Sequence, residues 1–174
     1  ARNLFEQSFL QARATLCQAV SASARLDGYD RSFLEPMLLD RNLPQEAPAV
    51  LAMGISDSTR DKVMASKTWA EVEALADYEP VSRYEAVYHG QGGSVQRLKV
   101  LARGDYNGDG VEDAVLYLTD GVEGGSYAHA RYLVVTRLAQ DAPLTLLAPE
   151  DQDAISNSST SSENTTQAPR VSPV

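Results

Sequence analysis

The chain has 174 residues, 43% of them hydrophobic and 22% charged, with a net charge of −9. That apolar share excludes a wholly disordered chain, and the length suits one domain with a sizeable core. The acidic balance disfavours nucleic acid and anionic membrane as partners, because it repels phosphate, and it concentrates divalent cations near the surface.

No apolar run approaches the roughly 20 residues that a bilayer span needs. The lone cysteine, Cys17, has no intramolecular disulfide partner, and its neighbours Leu16 and Val20 predict a buried thiol that packs as a small hydrophobe. The first residue is Ala1 rather than methionine, which leaves open a removed export signal or a trimmed start.

Residues 4 to about 24 read as an amphipathic helix. Phe5, Phe9, Ala12, Leu16 and Val20 recur at spacings of four and three, which places them on one face. Asp27-Gly28 is a break. Ser32 and Glu35 have capping-box spacing ahead of Met37, Leu38 and Leu39, predicting a short second helix. Pro44 and Pro48 impose an irregular connection. Residues 58–77 read as helical in two pieces, the second opened by a Thr68/Glu71 capping box and carrying Trp69, Val72, Leu75 and Ala76 on its apolar side.

From Val81 the period changes to two. Tyr84, Ala86 and Tyr88 alternate with Glu85, Val87 and His89. After the Gly92-Gly93 turn, Leu98, Val100 and Ala102 alternate with Arg97 and Lys99. A third strand is predicted at Ala114–Leu118, a fourth at Tyr127–Leu138, and a short last one at Leu144–Leu147. Short strands joined by short loops favour an antiparallel meander.

The expected architecture is a single α+β domain over 1–149, helical over 1–77 and β over 81–148, with four to five strands. The face of Phe5, Phe9 and Leu16 is expected to cover the sheet. From about Glu150 the chain turns Ser/Thr-rich, so 150–174 is expected to be disordered. Asn157-Ser-Ser and Asn164-Thr-Thr match the glycosylation acceptor pattern, as chance allows in so Ser/Thr-rich a stretch.

One segment carries a chemical pattern: Asp105-Tyr-Asn107-Gly-Asp109-Gly110-Val111-Glu-Asp113. Oxygen-bearing side chains occupy positions 1, 3, 5 and 9, with glycine at position 6. Calcium takes six to eight oxygens from carboxylates, amides and backbone carbonyls, so a tight loop that aims alternate residues inward suits it. Asp105, Asn107, Asp109 and Asp113 are the candidate side-chain ligands and the carbonyl of Val111 a fifth. Gly110 permits the sharp turn.

Three carboxylates against one divalent ion leave about one excess negative charge. The empty loop is therefore expected to be mobile and the filled one ordered. Position 12 is Leu116, where an EF-hand has glutamate, and Ala114–Leu118 prefers a strand, so this loop joins two strands. With two histidines and no cysteine pair, zinc does not fit.

Gly104-Asp-Tyr-Asn-Gly-Asp-Gly-Val-Glu-Asp-Ala-Val115 resembles the calcium loop of FG-GAP/VCBS-type repeats, found in integrin-like propellers and many bacterial envelope proteins. The resemblance covers about a dozen residues. It implies a loop between two strands, with ligands Asp105, Asn107, Asp109, Val111 (carbonyl) and Asp113. A propeller needs many blades, and this loop occurs once, so only the loop type carries over.

The remaining motifs have plainer readings. In Arg103-Gly104-Asp105 the aspartate is committed to the loop, so this adhesion tripeptide is a coincidence. Gly121–Ser126 lacks the P-loop ending and reads as a hairpin tip or contact loop. His89 and His129 read as polar surface residues on strands. Glu85, Asp120 and Glu123 are the acids available to a glycosidase-like site.

The expected function is that of a calcium-stabilised, exported binding protein without catalytic activity, periplasmic or secreted. Its partner would be another protein, as for an inhibitor or immunity protein. Extracellular calcium is high enough to fill a weak site. The alternative is a glycan hydrolase acting through the loop acids; a calcium sensor is a third, lesser reading.

Overall fold

The computed structural model describes residues 2–149, with side chains from Glu6 onward. The Ser/Thr-rich stretch at 150–174 and its two acceptor motifs lie outside the described residues. The chain is α+β. Helix α1 (Arg2–Ser23) leads, followed by α2 (Leu43–Glu46), a 3-10 turn (Ala49–Leu51), α3 (Asp57–Ala65) and α4 (Trp69–Val72). Six strands complete it: β1 (Leu75–Ser82), β2 (Glu85–Gly90), β3 (Ser94–Gly104), β4 (Asp113–Val122), β5 (Ala128–Thr136) and β6 (Thr145–Ala148). They form one antiparallel sheet in sequence order, β1-β2-β3-β4-β5-β6.

The meander follows from short hairpin connections, as expected, but it has six strands rather than four or five. The additional strand is β1. Leu75 and Ala76 continue the apolar side of the preceding helical pattern, and Pro80 argues against a strand interior. Pro80 is accommodated because β1 lies at the edge of the sheet, where a proline's missing N–H is tolerated. The helical part therefore stops at Val72, and α4 is a single turn.

Each face of the sheet carries its own core. On one, Ala86, Tyr88, Leu98, Leu116, Leu118, Leu133 and Val135 pack with Leu34, Leu39, Leu51, Trp69 and Val72 from the segment between α1 and β1. Trp69 and Tyr78 flank Tyr88 with ring centroids 4.9 and 5.3 Å away, within the range of favourable aromatic pairs. On the other face, Val115, Val134 and Ala148 pack beneath Ala19 and Ala22 of α1.

Helix α1 covers the sheet with the wrong face by the sequence criterion. Phe9, Leu16 and Val20 are 56%, 42% and 58% exposed, whereas Ala19 and Ala22 are buried. Ala12, Thr15, Ala19 and Ala22 form the inward row. The sheet explains the choice: Tyr117 and Tyr132 rise from β4 and β5 beside this contact, and the Tyr117 hydroxyl donates to the carbonyl of Ala12 at 3.4 Å. With bulk on the sheet side, small residues let the helix approach. The same rotation leaves Cys17 exposed rather than buried.

The segment after α1 holds no helix at Ser32–Leu39. Ser32 instead donates its hydroxyl to Glu112 at 2.6 Å, and the carbonyl of Glu35 accepts from Arg103 at 3.0 Å. The reciprocal capping box heads α3, where Ser56 Oγ accepts from the Thr59 amide at 3.2 Å and the Ser56 amide donates to Thr59 Oγ1 at 2.9 Å. Thr68 precedes α4 without a side-chain cap bond. Glu71 accepts from the Lys67 amide at 2.7 Å instead.

Candidate metal centre

The loop of interest spans the β3–β4 connection, so its ends are fixed by the sheet, Gly104 pairing with Asp113. Strand β3 enters through a bulge between Val100 and Ala102. Simple alternation from Leu98 would put Arg103 on the face of Arg97 and Lys99. The extra residue transfers Arg103 to the opposite face, where it pairs with Ala114. From there it reaches Glu112, Nε to Oε1 at 2.9 Å and Nη2 to Oε2 at 2.8 Å, and the carbonyls of Leu34 and Glu35. Burial pushes Glu112 up, but Arg103, Ser32 and Tyr29 outweigh it and hold its carboxyl below the usual range.

Within the loop, Asp105 is the hub. Its Oδ1 accepts from the amides of Gly108 (2.7 Å) and Asp109 (3.2 Å), and its Oδ2 from that of Gly110 (2.7 Å). Gly108 and Gly110 have φ of +80° and +76°, left-handed values that turn these N–H groups toward the carboxylate and that side chains disfavour. Burial alone would raise Asp105, but those donors prevail and hold it below the ordinary carboxylate range. Asn107 Oδ1 accepts from the Asp109 amide at 3.2 Å, and Asp109 Oδ1 from the Val111 amide at 2.8 Å. Asn107 Nδ2 donates to Asp109 Oδ2 at 3.0 Å.

Asp113 differs. It is fully buried, and its Oδ2 accepts from the Tyr106 amide at 2.8 Å. Its Oδ1 has no hydrogen-bond partner. Thr136 faces it across β4 and β5, and this neighbour favours the carboxylate, yet Thr136 Oγ1 is also left without a well-formed hydrogen bond. Burial pushes the Asp113 carboxyl above its ordinary value, and the charges of Asp109 and Asp105 add to the rise. A buried, half-satisfied carboxylate beside two others is costly unless a proton or a cation compensates it.

The five predicted ligands thus share one short loop. Among the described residues, no three His, Cys, Asp or Glu side chains stand together in a metal-holding group. In this arrangement backbone N–H groups occupy both oxygens of Asp105 and Oδ1 of Asp109, the Asn107 side-chain amide occupies Asp109 Oδ2, and Asp113 Oδ1 is left over.

The structure adds a partner that the sequence pattern did not identify: the segment after α1 clasps the loop. Asp27 and Asp105 exchange backbone hydrogen bonds at 2.8 and 2.9 Å. The carbonyl of Gly110 accepts from the amides of Asp30 and Arg31, and the Glu112 amide donates to the carbonyl of Arg31 at 2.8 Å. Arg25 lies over the Tyr106 ring, 4.5 Å from its centroid, and donates to its hydroxyl at 2.8 Å. Gly104 makes the clasp possible: a Cβ there would sit 2.8 Å from the carbonyl oxygen of Asp27 and 2.9 Å from Leu26 Cβ. The only sequence trace of this contact is that glycine.

The other candidates are bound into the scaffold. Asp120 accepts from Arg131 Nε (2.8 Å) and Gln96 Nε2 (2.9 Å), and Arg131 also caps the carbonyls of Val50, Leu51 and Ala52. His129 Nδ1 lies 3.8 Å from Asp120 Oδ2. Glu85 pairs with Arg97 at 2.6 Å and Lys99 at 3.4 Å on the opposite face of the sheet, so Glu85 and Asp120 do not flank a common substrate. Glu123 lies exposed in the β4–β5 turn.

A cleft of about 450 Å³ between α3, α4 and the β2–β3 turn contains one carboxylate, Glu73. That group already accepts from the Gly92 amide and the Ser94 hydroxyl. No helix among the described residues is long and apolar enough to cross a membrane. No family model, curated protein or solved structure matches the chain.

Proposed function

We propose that residues 105–113 bind a calcium ion through Asp105, Asn107, Asp109, the Val111 carbonyl and Asp113, and that the ion acts as a structural clip. The observation that carries this reading is the buried, unpartnered Oδ1 of Asp113 beside two further carboxylates. A hard divalent cation supplies the positive charge this arrangement lacks and accepts carboxylate, amide and carbonyl oxygen alike. The clip closes a strand junction and leaves the chemistry of the protein to its surfaces.

The protein then works by binding another protein, in the manner of an inhibitor or immunity protein, in the periplasm or outside the cell, where calcium reaches millimolar levels. Its engaged acids support binding over catalysis: Asp120, Glu85 and Glu73 are each held in structural contacts. Melting temperature in chelator against millimolar calcium tests the metal reading. The wild type should rise by several degrees, and Asp109→Ala should not respond. No rise in the wild type, or an equal rise in the variant, overturns it.

A further inference from the structure

The loop and the segment that follows α1 share backbone hydrogen bonds in both directions. Asp27 and Asp105 pair reciprocally, Gly110 accepts from Asp30 and Arg31, and Glu112 donates to Arg31. Side chains reinforce the same contact. Arg25 holds the Tyr106 hydroxyl, Ser32 holds Glu112, and Arg103 bridges Glu112 to the carbonyls of Leu34 and Glu35. The backbone carbonyls and amides offered to this segment are those of Asp105, Gly110 and Glu112, within the stretch that carries the candidate ligands. Asp113, whose Oδ1 is unpartnered, is tied to the same stretch through the Tyr106 amide. A change in loop geometry therefore moves the acceptors on which residues 25–32 rest.

From this we infer that filling the loop locks the 25–32 segment, and through it the C-terminal end of α1, onto the sheet. The inference rests on the calcium reading and adds its consequence: the ion regulates how firmly α1 is seated. Ala19 and Ala22, the buried contacts of α1 on Val115 and Val134, lie directly before this segment. Without the ion, repulsion among Asp105, Asp109 and Asp113 loosens the loop, the clasp amides lose fixed acceptors, and the last turns of α1 loosen with them. Because the coupling is a free energy shared by two sites, weakening the clasp must weaken calcium binding by the same factor.

Hydrogen exchange of the full chain, in chelator and in saturating calcium, reads this directly alongside calcium titration calorimetry. In the wild type, calcium should slow amides of the loop and of residues 25–32 by about tenfold or more, with the β1–β2 hairpin unchanged. Gly104→Ala pushes the clasp away while keeping every candidate ligand. It should bind calcium about tenfold more weakly and slow the loop but not residues 25–32.

If Gly104→Ala fails to fold, Tyr106→Phe, which removes the Arg25 bond, replaces it with the same direction and a smaller effect. Calcium heat and loop protection with residues 25–32 unchanged in the wild type overturns the inference and leaves the metal reading standing. Unchanged coupling in the folded clasp variant also overturns it. No calcium heat in the wild type overturns both.

Discussion

Asp105 and Asp113 are the same residue type eight positions apart, and the fold drives them in opposite directions. Backbone N–H donors outweigh burial at Asp105, so its anion is favoured and its stabilisation fades only as pH falls through its lowered folded value. At Asp113 burial and the neighbouring acids favour the proton. Its native state binds a proton more tightly than the unfolded chain, so calcium-free stability declines as pH rises from 3.8 through the raised folded value. Glu112 and Asp120, both lowered, deliver their contributions above their unfolded values of 4.5 and 3.8. Urea midpoints in chelator should therefore fall for the wild type relative to Asp113→Asn as pH rises above 3.8. Parallel curves for the two proteins would refute the penalty assigned to Asp113. At this scale the sequence was partly legible. The ligand spacing and Gly110 are local features that a linear reading finds, and Gly110 does adopt positive φ. Gly104 is different: what forbids a side chain there is the approach of Leu26 and Asp27, a contact between distant parts of the chain.

Helix α1 shows how an element can be foreseen and its orientation missed. Apolar spacing selects the largest side chains, and Phe9, Leu16 and Val20 satisfied it. Packing on a sheet that already carries Tyr117 and Tyr132 selects the smallest, and Ala19 and Ala22 won. Ala19→Leu should then destabilise the protein by about 1–3 kcal/mol through overpacking, whereas Leu16→Ala should stay within about 0.5 kcal/mol. Thermal or urea unfolding of the two variants checks the ranking, and the reverse order would restore the sequence-based face. Strand β1 was illegible for a related reason. Pro80 is a strand breaker in the interior and acceptable at an edge, and which strand is the edge is a property of the sheet. The connection between α1 and β1 is pinned to the sheet by Arg131, which holds three carbonyls of residues 50–52 and Asp120 at once. Arg131→Met leaves these buried acceptors unsatisfied and should cost about 3–5 kcal/mol in unfolding free energy. A loss below about 1 kcal/mol would mean that solvent replaces the guanidinium.

At the scale of the molecule, a meander is sandwiched between one helix and an irregular helical segment, and the two outer layers meet the sheet differently. The segment over residues 34–72 brings leucines and Trp69 into an apolar core. Helix α1 brings alanines, with Tyr117 donating to the Ala12 carbonyl, and the segment that follows it is clasped to the β3–β4 loop. The net charge of −9 burdens the compact state with self-repulsion, and the loop concentrates part of it. We propose that a bound cation neutralises that part. Calcium titration by calorimetry, paired in the same buffer with melting curves of the wild type and Asp113→Asn, tests it most directly. One binding event is expected in the wild type, with a melting temperature that climbs with calcium concentration, and neither is expected in Asp113→Asn. Titration heat indistinguishable from dilution in the wild type, or an equal calcium response in Asp113→Asn, would contradict it.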